Sequence, residues 1–153
     1  MRRLLLLVAP LALVAAGCGG GGGTAASGQS HSVLEVSKAF YDAGLPFTGI
    51  VTGNPYVTGQ TPFLPLKLNK SDVRFDVLAE LSGTSTADHT GDVVWVFDTD
   101  AHAGQALKQV PLKEWGQGSQ QITREQFGNV VVIASGFTGA AKAKLDKALS
   151  ALR

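Results

Sequence analysis

Two short apolar runs set the terms for this chain: Val93-Val94-Trp95-Val96-Phe97 and Val130-Val131-Val132-Ile133-Ala134. Both are rich in β-branched and aromatic side chains, and both are bounded by polar or turn-forming residues. Runs this short are strands rather than helices, and their nearly continuous apolar character marks them as inner strands. A third segment, residues 73–81, alternates instead. Val73, Phe75, Val77, Ala79 and Leu81 fall on one side, with Arg74, Asp76 and Glu80 on the other. That is the pattern of a half-buried strand, expected to pair with the 92–98 strand as an antiparallel hairpin.

Helical periodicity brackets these strands. Ser32 and Glu35 fit the S-x-x-E capping box, and Val33, Val36, Phe40 and Ala43 then share one face. Gly44 is a natural stop and Pro46 forbids continuation. A short strand is expected over residues 47–52. Thr99 caps a helix over residues 100–109, with Asp100 at its positive end. A strand over residues 120–127, a Gly128-Asn129 turn and the second apolar run follow. A last helix is expected over residues 138–152, with Ala141, Leu145, Ala148, Leu149 and Leu152 as its buried stripe and Lys142, Lys144 and Lys147 as a solvated face. The order α-β-β-β-α-β-β-α predicts an α+β fold. Its simplest form is a two-layer sandwich, a mostly antiparallel sheet of about five strands with helices on one face.

The chain has 153 residues and one cysteine, Cys18. Everything after Cys18 therefore folds without disulfides or thiolate metal sites and stands on packing alone. About 120 residues remain beyond the leader and linker described below, enough for one domain with a real core. The net charge is +1, and without Arg2 and Arg3 it becomes −1, eleven basic residues against twelve acidic. This carries no basic footprint for nucleic acid.

The first thirty residues have a different character. Arg2 and Arg3 precede an apolar stretch from Leu4 to Ala16, about 13 residues and too short for a span that needs about 20. Small residues then lead into Cys18, in the order Val14-Ala15-Ala16-Gly17-Cys18-Gly19. This is the layout of a secretory signal peptide. Ala16, Gly17 and Cys18 resemble the lipobox of bacterial lipoproteins, with Ala15 where that family prefers Leu. The resemblance covers only these first residues. It implies that a lipid is attached to the Cys18 thiol, that residues 1–17 are removed, and that Cys18 becomes an acylated N-terminus (diacylglycerol and palmitate-type chains). Two alternatives compete: an ordinary small-x-small cleavage site at Val14-Ala15-Ala16, which would release a protein with a spare thiol, and an incidental cysteine in an apolar leader. Two acyl chains suffice for stable anchoring where one does not. Residues 18–30, opening with Gly19 to Gly23, read as a flexible tether, and residues 31–153 as the single globular domain. A dozen such residues reach about 20 Å on average.

Two irregular stretches interrupt the domain. Residues 53–69 hold Pro55, Pro62 and Pro65 together with Tyr56, Phe63, Leu64, Leu66 and Leu68. Residues 111–118 hold Trp115. Prolines at this density exclude an inner strand or an unbroken helix. The apolar side chains either plug the end of the core or form one wall of a binding groove. In the second case Tyr56, Phe63, Leu64 and Trp115 are the surface for a ligand or partner.

Catalytic motifs are sparse. Asp88, His89 and Asp92 cluster near the expected hairpin tip, and Asp98, Asp100 and His102 at the strand-to-helix junction. Carboxylate and imidazole are suitable ligands for a divalent ion, but neither spacing matches a metal motif, and no metal or cofactor is expected. Ser135 follows a strand and precedes a helix but lacks the first glycine of the G-x-S-x-G elbow. No phosphate loop or dinucleotide fingerprint occurs. The sequence reading is a lipid-anchored cell-envelope protein, facing the periplasm or the cell surface. Its domain binds a small ligand or an envelope protein without catalysis. The alternative is an envelope hydrolase or metal-dependent enzyme using His89 or His102 with nearby aspartates.

Overall fold

A computed structural model of the protein describes residues 28–55, 76–83, 91–110 and 121–153. Among them are three helices and five strands: α1 (Val33–Ala43), β1 (Phe47–Thr52), β2 (Val77–Gly83), β3 (Gly91–Phe97), α2 (Asp100–Gln109), β4 (Ile122–Phe127), β5 (Val130–Ser135) and α3 (Gly139–Ser150). The α+β class and the α-β-β-β-α-β-β-α order are as the sequence predicts.

The strands form one antiparallel sheet in the order β1-β2-β3-β5-β4. The two apolar runs are β3 and β5, and they pair with each other along their whole length, from Gly91 opposite Ser135 to Val96 opposite Val130. Every residue from Val93 to Phe97 and from Val130 to Ala134 is buried. Side chains alternate across a strand. Such strands therefore need cover on both faces.

That requirement corrects the expected layering. The helices do not share one face. Val94, Val96, Val130, Val132 and Ala134 point to a core closed by α1 and α3, which contribute Val36, Phe40, Leu145 and Leu149. Val93, Trp95, Phe97, Val131 and Ile133 point the opposite way, to a second core under α2, with Ala103 and Ala106 at its contact. The result has three layers. A continuous apolar run signals burial on both sides of the sheet as well as a central position in it.

Local signals behave as their chemistry dictates. The Ser32 hydroxyl accepts the Glu35 N–H at 3.2 Å, and the Glu35 carboxylate accepts the Ser32 N–H at 2.7 Å. The bonds its carboxylate accepts from the Ser32 N–H and, at 2.9 Å, from the Ser32 hydroxyl hold Glu35 below the usual carboxylate range. Gly44 ends α1, and Leu45 N–H returns to the Phe40 carbonyl. Lys147 Nζ on α3 donates to the Asp42 carbonyl on α1, and each helix carries an exposed i,i+4 ion pair, Lys38–Asp42 and Lys142–Asp146. Thr99 caps α2 by accepting the His102 N–H at 3.3 Å. Thr138 occupies the same position before α3 but makes no side-chain capping bond.

Strand β2 departs from simple alternation. The register slips between Val77 and Ala79, a β-bulge. Val77 therefore joins the α2 face while Ala79 and Leu81 join the other. Glu80, expected on an exposed side, is 2% exposed and lies opposite Trp95, whose indole N–H donates to its carboxylate at 2.8 Å. The bulge resets which residues face which core.

Candidate functional site at the Asp98 end of the sheet

Strand β3 runs from one end of the sheet to the other, and each end carries an aspartate in a different setting. Asp92 is the second residue of the strand; Asp98 follows its last. They are six steps of extended chain apart, about 20 Å. Asp92 and Asp98 are thus at opposite ends, and Asp88 and His89 lie outside the described residues.

At the Asp98 end, three side chains from three elements meet. Val77 pairs with Phe97, so Asp76 falls beside Asp98, and the Asp98 N–H donates to the Asp76 carbonyl at 3.0 Å. His102 comes from the first turn of α2, held there by the Thr99 cap. Its Nδ1 lies 2.7 Å from Asp98 Oδ1 and 3.7 Å from Asp76 Oδ2. The hydrogen bond to Asp98, reinforced by the charges of both carboxylates against partial burial, raises the His102 pKa above its ordinary value. Partial burial pushes Asp98 upward. The bond to His102, the imidazole charge and the Thr99 N–H and hydroxyl outweigh it and leave Asp98 below the usual range. The cluster is shallow, its side chains 33–40% exposed.

The same end receives the N-terminal segment. The Asn129 side chain accepts the His31 N–H at 2.7 Å and donates to the carbonyls of His31 and Phe97 at 3.1 and 2.8 Å. His31 Nε2 is 3.1 Å from the Leu152 carbonyl. Gly128 has φ +52, and a Cβ there would lie 1.7 Å from the Gln29 carbonyl oxygen. Only glycine permits that approach. The Gly28 N–H makes a long contact of 3.4 Å to Asp100 Oδ2. The chain thus touches the domain from Gly28 onward.

The Asp92 end differs. Asp92 is 4% exposed, and among the described residues its Oδ2 has no hydrogen-bond partner. Burial raises its pKa to about 6, against a smaller opposing effect of its own backbone N–H. Its other oxygen fills the space beside Gly83, where an added Cβ would sit 2.0 Å from it.

Of the residues named from sequence, the structure brings Asp98 and His102 together and leaves Asp100 to the N-terminal segment. Cys18, Tyr56, Phe63, Leu64, His89 and Trp115 lie outside the described residues. The sequence reading missed Asp76 at this site. The signal was the hairpin itself, because a register that pairs residue 77 with 97 sets 76 beside 98. None of the described helices is long and apolar enough to cross a membrane. No family model, curated protein or solved structure matches the chain.

Proposed function

We propose that this is a lipid-anchored cell-envelope protein, held outside the cytoplasm through Cys18, whose α+β domain binds a ligand or partner protein without catalysis. The observation that carries the reading is the lipobox-like stretch Val14-Ala15-Ala16-Gly17-Cys18 followed by a glycine run. The position of Gly28 gives it a geometric consequence. Gly28 is ten positions beyond Cys18, and a Gly-rich coil of about that length reaches roughly 16–19 Å on average. The end of the sheet that carries Asp98, Asn129 and the start of α2 would then face the bilayer at close range. A shallow polar cluster there suits a partner's side chain or an ion better than an enclosed substrate.

Mass spectrometry of the mature N-terminus tests the anchor. The expected chain begins at an acylated Cys18, and Cys18→Ser abolishes lipid labelling. An unmodified chain beginning at Gly17 overturns the reading.

A further inference from the structure

We propose that Asp76, Asp98 and His102 form a binding site for a first-row divalent cation, with zinc as its representative. The three potential ligand atoms lie within 4.8 Å of one another. Bonds of about 2.0–2.2 Å to a single ion, at tetrahedral or octahedral angles, place neighbouring ligand atoms about 3–3.5 Å apart. The separations of 2.7 Å and 3.7 Å from His102 Nδ1 straddle that value. A common centre needs the shorter of these to open and the longer to close slightly, with the two carboxylate oxygens drawn together from within 4.8 Å.

The donor types narrow the ion. One imidazole nitrogen with two carboxylates suits zinc, iron, cobalt or manganese. All-oxygen sites favour magnesium or calcium, and thiolates select the softest ions. Two carboxylates also balance a charge of +2 when the imidazole is neutral. The ligands are well supported, because Asp76 and Asp98 are tied by a backbone hydrogen bond across the β2–β3 pair and His102 sits in a capped first turn. His102, on a helix, is held more precisely than a loop ligand, and the two aspartates directly flank the ends of β2 and β3. Three protein ligands at the surface leave coordination positions for water or for a partner's donor atom. Linear spacing conceals the set, since Asp76 is more than twenty residues from the other two and reaches them only through the hairpin. The site does not depend on the anchor.

The test is a zinc titration of the full-length protein in detergent micelles, in competition with a chromophoric chelator. One saturable equivalent is expected. Losing an outer-shell partner of a metal ligand commonly weakens binding about 10–100-fold. His102→Ala and Asp76→Asn, which remove ligands outright, should each weaken binding by about tenfold or more. His89→Ala should leave it unchanged. Zinc should also shift the His102 ring nitrogen signals in NMR spectra, which separates a lost ligand from a misfolded variant. Absence of saturable binding up to about millimolar zinc, or binding that survives His102→Ala in full, overturns the proposal.

Discussion

The two ends of β3 place the same side chain in opposite circumstances. Asp98 is half-exposed, hydrogen-bonded to His102 at 2.7 Å, and held below the ordinary carboxylate range. Asp92 is buried and raised to about 6. Five strand residues, 93–97, separate a charge that is solvated and partnered from one whose second oxygen has no partner among the described residues. The inner strands β3 and β5 are covered on both faces, so polar groups along them meet water only toward their ends, and the quality of each end is decided by local partners. The Asp98 end is built from bonded polar groups contributed by β2, β3, α2, the β4–β5 turn and the N-terminal segment. The Asp92 end stores a burial penalty.

The largest effect should come from unpinning the well-bonded end. Asn129 is 2% exposed and makes three hydrogen bonds to backbone groups of His31 and Phe97. Asn129→Ala leaves three backbone groups without that partner in a buried setting, at roughly 1–3 kcal/mol each before relaxation. A loss of about 3–5 kcal/mol in urea melts is expected, with faster hydrogen exchange over residues 28–32. A loss below about 1 kcal/mol would mean that this end is no better bonded than the other.

The next effect has the opposite sign and belongs to Asp92. Its pKa is near 6 in the folded protein against 3.8 for the free side chain. The folded state therefore binds the proton more tightly than the unfolded state. Stability from this group is fully present below about pH 4 and declines as pH rises to about 6, where the carboxyl ionises in its buried site. A shift of this size corresponds to about 3 kcal/mol between the two limits. Asp92→Asn should flatten that part of the pH profile and stabilise the protein at pH 7 by about 2 kcal/mol. Denaturant melts from pH 4 to pH 7.5 measure both. An unchanged profile in the variant would show that Asp92 is partnered after all, and the contrast between the ends would collapse.

Much of this architecture was legible in the residues. The capping box at Ser32, the stop at Gly44, the Thr99 cap, the Gly128-Asn129 turn and both inner strands each rest on a short-range signal, and short-range signals survive folding intact. The layering differs from the expectation because a continuous apolar run implies more than a central place in the sheet. Such runs dictate cover on both faces. Glu80 lies on the side its alternation gives it, opposite Ala79 and Leu81, and is buried because α2 covers that face as well; the β-bulge between Val77 and Ala79 moves Val77 to the same side, and nothing in the local sequence announces it. At the site, Asp98 and His102 were visible as an i,i+4 pair. Asp76 was not, because its approach depends on hairpin register, a long-range property.

The smallest prediction separates two threonines that look alike in sequence. Both precede a helix in extended conformation, Thr99 before α2 and Thr138 before α3. Only Thr99 accepts a backbone hydrogen bond, from His102. Removing a capping hydroxyl typically costs about 1 kcal/mol, so Thr99→Ala should destabilise by about that amount. Thr99→Ser should restore most of it. Thr138→Ala loses no capping bond, and its effect should stay within about 0.5 kcal/mol, as for ordinary surface changes. The difference also bears on the Asp98 end, since the Thr99 cap is what holds His102 in the first turn beside Asp98 and Asp76. If Thr99→Ala and Thr138→Ala proved equal in paired urea melts, the cap would not be stiffening that end. The positioning of His102 would then rest on its contact with the carboxylates alone.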